Sequence, residues 1–233
     1  MVDTEGARQN VSFPSNGSEA HGYLALPPSG RGPGLVVIQE WWGLTSHIAD
    51  LTDRFAAAGF VALAPDLYGG STTHDADEAG AMMQSLPPDR AARDLSGAVD
   101  FLLGRDDVEG SRIGVVGFCM GGAFVLTLAL QEAERVAAAV PFYPVGAMPD
   151  DYRGLKAAVM AHFGESDAFI PATQASELEA KIEAGTGVKP EVYLYPAGHA
   201  FLNDENLLGT YDPEQARVAW ERTVGFLRDH LAA

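Results

Sequence analysis

Short apolar runs at 34–38, 60–64, 113–118, 137–142, 157–163 and 191–195, each bounded by Gly, Pro or Asp, restrict the folds open to this chain more than any other feature. Their length and nearly continuous apolar character predict strands buried on both faces. Between them lie 46–58, 90–103, 122–131, 173–184 and 213–231, where apolar residues recur at helical spacing. Strands alternating with helices of this length build right-handed crossover units. The expected class is therefore α/β, a mostly parallel central sheet with helices on both faces. Segments 11–13 and 22–26 are expected to add an antiparallel edge pair, with 27–33 as a hairpin-type turn. The stretch 69–84, rich in Gly, Ser, Thr and Asp, carries no assignable element; beyond a strand's carboxyl end it is a place for a lid or substrate wall.

At 233 residues a single core and a single domain over 1–233 are expected. The formal net charge is −17, with lysine only at Lys156, Lys181 and Lys189. Such a surface repels phosphate backbones and anionic membranes, so neither nucleic acid nor membrane is an expected partner. Salt adaptation and a solubility margin account for the acidity equally well. With one cysteine, no intramolecular disulfide can form. The polar segment 1–18 has no apolar signal core, and no later run approaches the roughly 18 apolar residues of a membrane span. A cytoplasmic protein is expected, with no metal or cofactor, since no ligand-type spacing of His, Cys and Asp occurs.

The chemistry concentrates in Ile113-Gly114-Val115-Val116-Gly117-Phe118-Cys119-Met120-Gly121-Gly122, a buried strand entering a G-x-C-x-G-G turn and then an apolar helix. This is a nucleophile elbow with sulfur in place of oxygen. Gly117 and Gly121 leave room for close backbone packing while Cys119 is forced toward the sheet's carboxyl edge. The amide end of the following helix favours a thiolate, and the Met120 N–H is placed to meet an oxyanion. A buried structural cysteine is the bland alternative.

In a nucleophile, acid, histidine chain order, the acid follows a later strand and the histidine a still later one. The run 157–163 leads into Gly164-Glu165-Ser166-Asp167, and 191–195 into Pro196-Ala197-Gly198-His199. His199 is then expected as general base and acid, and Asp167 as the group that holds its tautomer. Glu165 competes as the acid, and Asp167 also reads as a turn or cap residue.

These residues resemble the dienelactone hydrolase family of α/β-hydrolases, in which cysteine replaces the usual serine. The resemblance spans nearly the whole chain. It is carried by Gln39-Glu40-Trp41-Trp42-Gly43, Ala64-Pro65-Asp66-Leu67-Tyr68, the Cys119 turn, Gly164-Glu165-Ser166-Asp167 and Gly198-His199-Ala200-Phe201. It implies hydrolysis of small lactones or esters through a thioacyl intermediate. Glu40 would take the thiol proton when substrate binds, and the Trp41 amide would be a second oxyanion donor.

The chain departs from the family where dienelactone-cleaving members bind a substrate carboxylate with arginine. Gly69 or Gly70, and Asn203, stand at those places. Without a bidentate clamp and against a negative field, the expected substrate widens to small esters and lactones generally. Trp41, Trp42, Tyr68, Tyr143 and Phe201 are candidates for an apolar pocket and equally for packing. A catalytically silent scaffold, and a thioesterase or polyester-fragment hydrolase using the same triad, are the competing functions.

Overall fold

The computed structural model describes residues 8–15 and 17–232. In chain order the strands are β1 (Val11–Ser15), β2 (Ser18–Ala25), β3 (Gly32–Ile38), β4 (Val61–Pro65), β5 (Val108–Phe118), β6 (Val136–Phe142), β7 (Ala158–Gly164) and β8 (Glu191–Tyr195). The helices are α1 (Ser46–Ala57), α2 (Ala76–Ser85), α3 (Pro88–Leu103), α4 (Met120–Gln131), α5 (Thr173–Thr186) and α6 (Pro213–Leu231). The described residues fall into two compact units, divided between Ile113 and Gly114 inside β5. No helix among them is long and apolar enough to cross a membrane.

In the first unit the strand order is β1-β2-β4-β3, with the start of β5 next. β1 and β2 pair antiparallel, as expected, and β2 continues antiparallel to β4. β3 and β4 are parallel. The turn at 27–33, closed by Gly30 N–H donating to the Pro27 carbonyl at 2.8 Å, is therefore not a hairpin. β4 lies between β2 and β3, pairing antiparallel with the first and parallel with the second, so the turn joins strands that are not neighbours. α1 packs on β4 and β2 through Ile48, Leu51 and Phe55, and α3 on β1, β3 and β4 through Ala91, Leu95, Ala98 and Leu102. These are helical spacings, one apolar stripe each.

Part of 69–84 is helical. α2 begins where the Asp75 carboxylate accepts the Glu78 N–H at 2.9 Å, and Glu78 in turn accepts the Thr73 hydroxyl at 2.5 Å. Asp75 and Glu78 stand at capping-box spacing, the signal in the sequence that marks this helix. Its periodicity is weak because Ala79 is the only residue it buries.

In the second unit the end of β5 is followed by β6, β7 and β8, with β6–β7 and β7–β8 parallel. α4 and α6 pack on β6 and α5 on β8. β5 starts five residues earlier than its apolar run, since residues 108–112 are partly or fully exposed and only strand pairing reveals them. At the core of this unit His162 is fully buried, stacked on Phe142 with ring centroids 4.2 Å apart. Its Nδ1 meets the Tyr195 hydroxyl at 2.8 Å and its Nε2 the Thr223 hydroxyl at 3.0 Å. Burial, helped by the nearby Arg222 guanidinium, pushes its pKa down to about 3, so the ring is neutral.

Candidate active site

In the second unit, β5 ends at Phe118 and α4 begins at Met120, leaving Cys119 alone to make the turn. It does so at φ 54° and ψ −119°, a conformation that non-glycine residues adopt only when their surroundings compel it. Three backbone hydrogen bonds do the compelling. Cys119 N–H donates to the Phe142 carbonyl at 3.1 Å, and the Cys119 carbonyl accepts from Gly122 and Val145, each at 3.0 Å. The turn also demands a bare residue at 117: a Cβ there would sit 2.5 Å from the Gly121 carbonyl oxygen. The thiol is nearly buried, and Met120 supplies the first amide of a helix whose early turns are apolar and enclosed. Such an amide end stabilises negative charge at sulfur and at an adjacent oxyanion.

The acid and the histidine come from two loops zipped together. Glu165 N–H donates to the Tyr195 carbonyl at 2.7 Å and Ser166 N–H to that of Ala197 at 3.0 Å. Gly164 permits this approach, since a Cβ would lie 2.5 Å from the Ala197 oxygen. The result is a contact of 2.7 Å between His199 Nδ1 and Asp167 Oδ2, with both side chains almost fully enclosed, at 3% and 1% exposure. Asp167 Oδ1 accepts the Phe169 and Ile170 N–H groups at 2.8 and 3.0 Å, so Asp167 is at once the turn residue and the partner of His199. Both readings of Asp167 hold together. Glu165 is exposed and points its backbone, not its carboxylate, into the zipper. With Nδ1–H donating to Asp167, the second nitrogen carries the lone pair. That Nε2 is buried and has no hydrogen-bond partner among the described residues.

Aromatic rings bracket this imidazole. Tyr143, held at φ 34° by its N–H donating to the His162 carbonyl at 2.7 Å, meets His199 edge-on at 5.0 Å between centroids. Phe201 packs on Tyr143 at 5.6 Å. Both are fully buried, as core packing that supports the histidine rather than as an open pocket wall. Phe169 reaches His199 at 4.7 Å and remains 52% exposed. No motif in the sequence marks it, although it lies two residues past Asp167. Thr210, whose hydroxyl donates to the His199 carbonyl, has no motif to mark it. Asn203 is buried, with its side-chain oxygen accepting the Glu205 N–H at 2.9 Å, so it serves its own turn.

In the first unit Glu40 follows β3 and is buried to 1% exposure. Trp42 is buried and Trp41 half-buried, their rings 4.9 Å apart and edge-to-face. Asp66 explains the Asp-Leu-Tyr motif: its carboxylate accepts from the Tyr68 N–H at 2.9 Å, the Gly70 N–H at 2.6 Å and Gln9 Nε2 at 2.5 Å. Tyr68 is half-buried. Gly69 and Gly70 have φ of 65° and 97°, so an arginine at either place would be strained. Arg90 approaches the same turn, but it donates to the Leu67 carbonyl at 3.2 Å and pairs with Asp94 at 3.4 Å.

A family model described as the dienelactone hydrolase family matches residues 20–231. Protein usf from Aquifex pyrophilus is 36% identical over 96% of this chain and 99% of its own. A solved structure of a dienelactone hydrolase-like promiscuous phosphotriesterase from metagenomic libraries superposes with a TM-score of 0.82 at 25% identity, covering 97% of this chain and 98% of that one. An alpha/beta hydrolase enzyme from a Medee basin deep-sea metagenome library shares the fold at a TM-score of 0.70 and 15% identity, covering 98% of this chain and 100% of that one.

Proposed function

Because the chain belongs to the dienelactone hydrolase family, we propose that it hydrolyses small carboxylic esters and lactones with Cys119 as nucleophile. One observation carries this reading: Cys119 sits at a strained strand-to-helix turn in the same unit as a histidine that is tied to a buried aspartate through Nδ1.

In this reading the Cys119 thiolate attacks the carbonyl carbon, and the Met120 N–H receives the developing oxyanion, joined by that of Trp41 as the family resemblance implies. Collapse breaks the C–O bond, and the thiol proton, passed from Glu40 to the lone pair of His199 Nε2, goes to the departing oxygen, leaving an acyl group on sulfur. His199 then takes a proton from water, whose oxygen attacks the thioester, and the thiolate leaves. Asp167 holds the imidazole and stabilises its charged form. Glu40, buried just beyond β3, is the carboxylate that removes the thiol proton when substrate arrives, as the family resemblance implies. The substrate is small and uncharged. Glycines at positive φ and an Asn203 committed to its own turn stand where a carboxylate clamp would be, and the chain's charge of −17 opposes anions.

The test is acid-quenched mass spectrometry after mixing with p-nitrophenyl acetate. An acetyl adduct on Cys119 and its loss, together with turnover, in Cys119→Ala are expected. Full turnover by that variant would defeat the proposal.

A further inference from the structure

We propose that Phe169 selects the leaving alcohol, and that the preferred substrates are esters of phenols, in which that alcohol is a flat aromatic ring. This rests on the reading of His199 as the group that protonates the departing oxygen.

Phe169 is one of few large apolar side chains left exposed, at 52%, and its ring lies 4.7 Å from that of His199 at an angle of 47°. Its position is set by the triad itself, because its N–H donates at 2.8 Å to Oδ1 of the same Asp167 whose Oδ2 holds the histidine. The main chain at Phe169 is therefore tied to the triad aspartate, with the ring against the imidazole. Tyr143, the other aromatic against His199, is fully buried and offers nothing to a bound molecule.

When the tetrahedral intermediate collapses, the C–O electron pair goes to the leaving oxygen and the proton on Nε2 follows it. That transfer needs the oxygen within about 2.6–3.2 Å of Nε2. Whatever is bonded to the oxygen then lies within a few ångströms of the imidazole on which the Phe169 ring packs. An aryl group there can take an offset or edge-to-face arrangement on Phe169, at the roughly 4.5–7 Å centroid spacing such pairs prefer. A short alkyl group covers little of the ring and has no π face to present. The acyl side of the substrate, bonded to Cys119, gains nothing from this contact.

The experiment compares kcat/KM for phenyl acetate and ethyl acetate in the wild type, Phe169→Ala and Phe169→Tyr. Since the acyl group is common, the ratio reports the leaving side. In Phe169→Ala the phenyl-to-ethyl ratio is expected to fall about tenfold, the size of one aromatic stack with the area it covers. In Phe169→Tyr it is expected to stay within about twofold, because the ring is retained. An equal loss on both esters in Phe169→Ala would overturn the inference, leaving the ring as a support for His199 and Asp167, and so would an unchanged ratio. A wild-type protein that turns over neither ester would instead defeat the hydrolase reading, and this inference with it.

Discussion

Lowering the pH from 7 to 4.5 is expected to destabilise the fold by about 2.5 kcal/mol through His162 alone. The ring is fully buried between Phe142, Tyr195 and Thr223, and burial lowers its pKa to about 3, against about 6.5 in an unfolded chain. A histidine with a lowered folded pKa stays neutral in the native state while the unfolded chain takes up a proton. Stability is thus intact above about pH 6.5, falls by about 1.4 kcal/mol per pH unit below it, and levels off near pH 3 after a total of about 5 kcal/mol. For a domain whose whole stability is about 5–15 kcal/mol, this loss decides acid tolerance. The assay is urea unfolding followed by tryptophan fluorescence at a series of pH values, for the wild type and His162→Gln. The variant can keep a polar link to Tyr195 or Thr223 but cannot titrate. It is expected to start less stable at pH 7 and to lose about 2.5 kcal/mol less than the wild type on going to pH 4.5. Carboxylates titrate in both proteins and cancel. Parallel pH curves would refute the reasoning and mean that the buried ring accepts a proton in the folded state.

Glu40→Gln preserves the shape of a buried side chain and removes its basicity; folding is expected to persist while kcat/KM for p-nitrophenyl acetate falls about a hundredfold. Wild-type kinetics would remove Glu40 from the mechanism. Gly117→Ala places a methyl group 2.5 Å from the Gly121 oxygen, a backbone atom that cannot move aside cheaply. A loss of about 1–3 kcal/mol in urea unfolding is expected, with esterase activity lost as α4 is displaced. Gly225→Ala is the matched control: it lies in α6 with nothing within 4 Å, and is expected to stabilise by up to about 1 kcal/mol.

Much of the candidate site's geometry is legible in the sequence. The G-x-C-x-G-G turn is readable because a sharp turn around Cys119 tolerates no side chain at 117, and that intolerance is written as glycine. The acid and the histidine are readable because each ends a strand at the same sheet edge, so chain order substitutes for distance. The helix α2 was less so, since a segment that buries only Ala79 has no apolar stripe and shows itself through Asp75 and Glu78 alone. The first half of β5, likewise without a buried run, carries no such signal.

By itself, then, the sequence determined the alternation of strands and helices, the elbow at Cys119 and the candidate partners Asp167 and His199. All of these are recorded in local periodicity, turn chemistry and order along the chain. Tertiary structure alone decided that β4 separates β2 from β3, that Asp167 rather than Glu165 meets His199, and that Tyr143 and Phe201 are buried supports while Phe169 remains open to solvent. The physical reason is that burial and partnership at these positions depend on segments distant in the chain. A phenylalanine carries the same hydrophobicity at 169 and at 201, and only the packing around each one sets whether it is hidden or presented.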